Sequence, residues 1–139
     1  MTAKEYFKNV LEAERELKRL AAAREHQMEL ATSITPQGEG EVVSHSRGAG
    51  IVESSAVMLA MIGEELDQKT SKYAKLIRQA MGYIDQLKSI RERELLTLRY
   101  ICAKPWKEVQ TCMGYEEEKS LYRLHGWALE HIQDLMGSE

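Results

Sequence analysis

Lys119, Tyr122, Arg123 and Gly126 recur at intervals of three and four near the end of the chain. That is the spacing of neighbours on one face of an α-helix. Two cations on a solvent face can meet phosphates or a guanine edge, and a glycine there permits close backbone approach. Tyr122 flanks the same face. The other chemistry-bearing residues do not assemble. His26, His45, His125 and His131 are scattered, and no pair of them combines with Cys102 and Cys112 at zinc-finger spacing. Glu64, Glu65 and Asp67 are adjacent on a helical stretch, which gives solvated charge and no acid–base pocket. There is no glycine-rich phosphate loop and no nucleophile elbow. The reading is a non-catalytic protein that needs no cofactor and no metal.

The helix that would carry this face runs from about Glu116 to Met136, with Leu121, Leu124, Ala128, Ile132 and Leu135 turned inward. His125 falls near that inward side and is expected as a packed core histidine. Upstream, Met113-Gly114-Tyr115 reads as a turn with glycine just past a helix end. Trp106 and Val109 mark a short helix that Pro105 suits as a first position. Leu95, Leu96, Leu98 and Ile101 mark another, opened by the capping box Ser89-Ile90-Arg91-Glu92. A short helix, a glycine turn and a longer helix make a helix-turn-helix, placed here at residues 89–136. Trp106 and Trp127 are expected to anchor its small core, Trp127 nearer the edge. The cysteines read as small buried or half-buried hydrophobes.

Residues 1–88 read differently. Thr2-Ala3-Lys4-Glu5 is a capping box, and the stretch to about Ile34 contains no Gly or Pro. Tyr6, Val10, Ala13, Leu17, Leu20, Ala31 and Ile34 lie on or near one stripe, interrupted by Arg24 and Gln27. Thr35-Pro36 ends this helix. Residues 36–50 hold Gly38, Gly40, Gly48 and Gly50 with little apolar content beyond Val42 and Val43, so they are expected as a flexible connector. From Val52, steps of three and four reach Ser55, Leu59, Ile62, Leu66, Lys69, Tyr73, Leu76, Ala80, Tyr83, Leu87 and Ile90. All but Ser55 and Lys69 are apolar or aromatic, a coiled-coil pattern. Met58, Met61 and Met81 beside it are expected as core filler. A helix of about 40 residues is about 60 Å long and cannot bury its stripe alone. Its cheapest partner is the first helix folded back antiparallel, and seam left uncovered implies a homodimer.

Composition agrees with an all-α protein. The 139 residues allow one domain or two small modules, with 43% hydrophobic, 29% charged and 6% aromatic residues. Nineteen basic side chains face 22 acidic ones, for a net charge of -3, so any nucleic-acid contact must come from a local patch. No apolar run approaches the ~20 residues that span a bilayer, and two cysteines are too few for a disulfide scaffold. No membrane association and a cytoplasmic location are expected.

Several of these segments together resemble a known pattern. Glu94-Leu95-Leu96-Thr97-Leu98-Arg99-Tyr100, Pro105-Trp106-Lys107-Glu108-Val109, Met113-Gly114-Tyr115 and Tyr122-Arg123-Leu124-His125-Gly126 resemble the fourth region of bacterial sigma factors. The chain is more similar still to a family of small phage-encoded, sigma-like transcriptional regulators, whose members carry a segment like Leu30-Ala31-Thr32-Ser33-Ile34-Thr35-Pro36. The resemblance implies phage or prophage transcription in a bacterial host cytoplasm, through double-stranded promoter DNA, RNA polymerase or both. Glu116-Glu117-Glu118 departs from the basic or polar start of the family's recognition helix. Three carboxylates suit a helix N-terminus but repel phosphates. They favour the alternative of a coiled-coil interaction module whose helix-turn-helix no longer binds DNA.

Overall fold

A computed structural model of the chain describes residues 1–33 and 42–137, with side chains for 1–32 and 53–137. Among them all regular structure is helical: α1 (Ala3–Ser33), α2 (Val42–Asp85), α3 (Ile90–Leu96), α4 (Trp106–Met113) and α5 (Glu118–Met136), with a π-helical turn at Thr97–Ile101 between α3 and α4. None of these helices is long and apolar enough to cross a membrane.

The first capping box forms in full. Glu5 N–H donates to Thr2 Oγ1 at 3.1 Å, and Thr2 N–H to Glu5 Oε2 at 3.0 Å. The second forms by half. Glu92 N–H donates to Ser89 Oγ at 3.2 Å, but the Glu92 carboxylate turns inward to His131 instead of back to the cap.

Helix α2 corrects the expected connector at 36–50. It begins at Val42, so residues 42–50 are helical despite Gly48 and Gly50. Each interior glycine costs ~1 kcal/mol relative to alanine, a penalty a helix of this length absorbs because propagation is cheap once nucleated. The expected helix end at Thr35-Pro36, and connector residues 36–41, lie outside the described residues. So do the side chains of Val42, Val43 and Val52.

The heptad pattern is visible as burial. From Ser55 to Leu87 every position of the three–four alternation is buried or half-buried, while Ile90 is exposed because it opens α3. Met58, Met61 and Met81 are exposed, which corrects their reading as core filler. Being apolar does not choose a side chain's face, and these three fall outside the stripe.

Packing divides the chain into two compact units. One comprises Met1–Glu14 and Tyr73–Glu139, the other Arg15–Lys72. The expected boundary at 88/89 therefore falls inside the first unit. Its core is continuous, from Tyr6, Phe7 and Val10 through Ala80, Ile84 and Leu87 to Leu95, Tyr100, Leu121 and Ile132. Phe7 is fully buried although it lies off the expected stripe. Its ring stacks at a tilt on Tyr100, centroids 5.0 Å apart, because the start of α1 packs against more than one neighbour. Tyr6 meets Phe7 and Tyr83 edge-on and donates to Gln79 Oε1 at 3.0 Å. Ala3 N–H donates to Gln133 Oε1 at 2.7 Å, tying the chain start to α5.

In the second unit only Leu20 and Ser55 are fully buried among the described residues. Lys69 bridges to Glu16 at 3.0 Å and to Glu65 at 3.9 Å. A groove brings Arg24 and Met28 of α1 to Leu59 and Gly63 of α2. Partner numbers thus fall on α2 as they rise on α1.

Candidate nucleic-acid interface

The turn before α5 is built by local chemistry. Gly114 sits at φ 75°, ψ 23°, the left-handed region that only glycine adopts cheaply. Tyr115 N–H reaches back to the Gln110 carbonyl at 3.2 Å and closes α4. The Gln110 side-chain amide then donates to the carbonyls of Tyr115 and Glu116, at 3.1 and 3.2 Å. Arg91 fixes the same corner from α3, donating to the Met113 carbonyl at 2.9 Å with its guanidinium over the Tyr115 ring.

Helix α5 starts at Glu118, two residues after the expected Glu116, with Glu117 extended at the cap. Leu121, Leu124, Ala128 and Ile132 are buried and Leu135 is half-buried. Lys119, Tyr122, Arg123 and Gly126 are exposed on α5. Lys119 and Arg123 have no ion-pair or hydrogen-bond partner among the described residues, so their charge faces solvent. A Cβ at Gly126 would meet nothing within 4 Å, so no internal packing requires glycine there. Glu116, Glu117 and Glu118 are exposed beside them. Trp127 is 51% exposed, further out than the edge position expected of it.

Tyr122 is held by a cluster that periodicity did not reveal. Its ring meets Trp106 edge-on at 5.2 Å, and Trp106 meets His125 in the same way at 4.7 Å. His125 stacks on Tyr100, whose hydroxyl lies 2.7 Å from Nε2. Burial, with smaller contributions from the charges of Arg99 and Lys4, pushes the imidazole down to about 4. At neutral pH His125 is therefore uncharged, and its Nε2 shares a hydrogen bond with the Tyr100 hydroxyl. This bears out the expectation of a packed histidine. Arg99 lies over the Trp106 ring at 4.7 Å and donates to the Lys104 carbonyl at 3.0 Å.

The π-helical turn sets these groups in place. Its bond from Cys102 N–H to the Thr97 carbonyl, 2.9 Å, spans five residues and inserts one extra residue into the turn. Two residues past the turn lies Ala103, whose φ of 54° is unusual for a residue with a Cβ. Cys102 and Cys112 are both exposed, which corrects their reading as buried or half-buried. On the outer side of α4, Lys104 and Lys107 line a shallow depression of about 350 Å³ with Glu108, Thr111 and Cys112. These two lysines were not among the expected contact residues, and a basic pair flanking Pro105-Trp106 at the start of α4 was the available signal.

Compared with known proteins, the chain matches no family model, no curated protein and no solved structure.

Proposed function

We propose that the chain is a non-catalytic phage or prophage transcription regulator: an antiparallel helical hairpin, α1 with α2, joined to a sigma-like helix-turn-helix in which α5 is the recognition helix. It engages promoter DNA or RNA polymerase through Lys119, Tyr122, Arg123 and Gly126. The single observation that carries this reading is the joint exposure of these four residues on α5, directly after a glycine-capped turn, with both cations unpaired among the described residues. The falling order of α2 partners along α1 supports the hairpin.

The internal basic residues sharpen the argument. Arg91, Arg93 and Arg99 spend their guanidinium groups on the carbonyls of Met113, Leu87 and Lys104. Lys104 pairs with Glu108 at 4.0 Å, so electrostatic contact with a polyanion is left to Lys107, Lys119 and Arg123 among the basic residues of 91–136, a small set suited to modest affinity.

The second reading, a module that docks a protein and no longer binds DNA, is favoured by the exposed Glu116–Glu118 run and by Trp127. Titrating a labelled promoter-length duplex with the parent and with the Glu116→Gln/Glu117→Gln/Glu118→Gln variant separates the two. DNA binding that strengthens in the variant supports the first reading. No binding at low salt in either protein supports the second.

A further inference from the structure

Among the described residues, the Arg15–Lys72 unit presents an apolar surface that α1 and α2 do not cover. Met28, Leu59, Ala60 and Gly63 line an open groove of about 580 Å³, with Arg24, Glu64 and Asp67 as its charged residues. Next to it on α2, Val57 and Met61 are 59% and 60% exposed. Methionines unpaired in this way form an adaptable surface that can fit a partner side chain by changing rotamer.

The charge around the groove is predominantly negative. Over residues 21–32 and 53–67 the chain carries Glu25, Glu29, Glu53, Glu64, Glu65 and Asp67 against Arg24 alone. Lys69 neutralises part of this at Glu65, 3.9 Å away, but it is also committed to Glu16. A second copy of the chain would bring the same acidic surface face to face with itself, which like-charge repulsion disfavours. An apolar groove flanked by carboxylates is complementary to a helix with an apolar stripe and lysines or arginines beside it.

We propose that this groove is a docking site for a basic amphipathic helix of another protein. The partner's apolar side chains enter between Met28 and Leu59, over Gly63, and its cations meet Glu64 and Asp67. Gly63 then has a clear role: a Cβ there meets nothing within 4 Å, so the floor is open to the guest and not filled from within.

The test uses the full chain and a fluorescent amphipathic peptide of leucine and lysine, about 18 residues long, read by anisotropy and circular dichroism. The expected result is saturable one-to-one binding with gain of peptide helicity. Gly63→Gln should weaken it about tenfold or more by filling the floor, and Glu64→Lys/Asp67→Lys should do the same by reversing the charge. Gly63→Gln adds a better helix former in open space, so the fold is retained. Glu12→Gln/Asp85→Asn, exposed carboxylates in the other unit, should leave binding unchanged. Absence of binding overturns the proposal, as does equal weakening by the Glu12/Asp85 variant, which would mark general cation attraction. A dimer in sedimentation that Gly63→Gln disperses also overturns it, because the occupant would be a second copy.

Discussion

Tyr100 Oη and His125 Nε2 lie 2.7 Å apart across 25 residues of sequence, and their bond fastens the π-helical turn to α5. Through the same histidine the aromatic cluster continues to Trp106 and then to Tyr122, which is 44% exposed. Tyr122, on the exposed face of α5, is thereby backed by packed aromatic side chains.

Removing the Tyr100 hydroxyl isolates the worth of that bond. Tyr100→Phe should cost ~1 kcal/mol in denaturant unfolding, the usual net value of one hydrogen bond, with the fold retained. An unchanged midpoint would show that water replaces the bond at no cost.

Two histidines give stability a maximum in pH. His125 is held low by burial, so between about 6.5 and about 4 the unfolded chain takes up a proton that the folded one refuses. Stability therefore falls as pH drops through that window. His131 is held above its ordinary value by its 2.7 Å hydrogen bond to the buried Glu92 carboxylate. Its contribution is fully present below the unfolded value and is lost as pH rises through the raised folded one. Melting temperatures across pH 4 to 8 should show both limbs. His125→Phe should flatten the acid limb and His131→Gln the alkaline one.

Gly114 and Gly126 should respond oppositely to alanine. Gly114→Ala places a Cβ at φ 75° and should cost ~1–2 kcal/mol. Gly126→Ala sits in an open helical position and should stabilise by up to about 1 kcal/mol. If a partner backbone approaches Gly126, the same change weakens binding while raising stability. Loss of both together would place Gly126 in the fold alone.

The coiled-coil register is tested by neighbouring residues. Leu66 is half-buried and Gln68 is exposed. Leu66→Asp should destabilise by about 2 kcal/mol or more by placing an unpaired charge against α1, and Gln68→Asp should be nearly silent. Equal loss of helicity in both would refute the register.

What was legible in the sequence follows from period. A repeat of three and four residues requires no knowledge of partners, so the burial of Ser55 through Leu87 and the exposed set Lys119, Tyr122, Arg123 and Gly126 could be read directly. Gly114 was legible because few other residues tolerate its backbone. Contacts between distant segments were not. Phe7 against Tyr100, Glu92 with His131 and Arg99 over Trp106 depend on how helices meet, which no single stretch encodes. The outward turn of Met58, Met61, Cys102 and Cys112 was missed for a related reason: side-chain polarity alone does not choose a face. Val42–Gly50 misled through composition, since glycine lowers helix propensity without forbidding a helix.

The salt dependence of DNA binding by the parent and by Arg123→Ala tests the central claim most directly. Lys119 and Arg123 are exposed on α5 and unpaired among the described residues, so a contact between Arg123 and a phosphate releases about one counterion. Arg123→Ala should weaken binding to a duplex and lower the slope of log affinity against log salt by about one unit. Measurable DNA binding whose affinity and slope are both unchanged by Arg123→Ala would contradict the account.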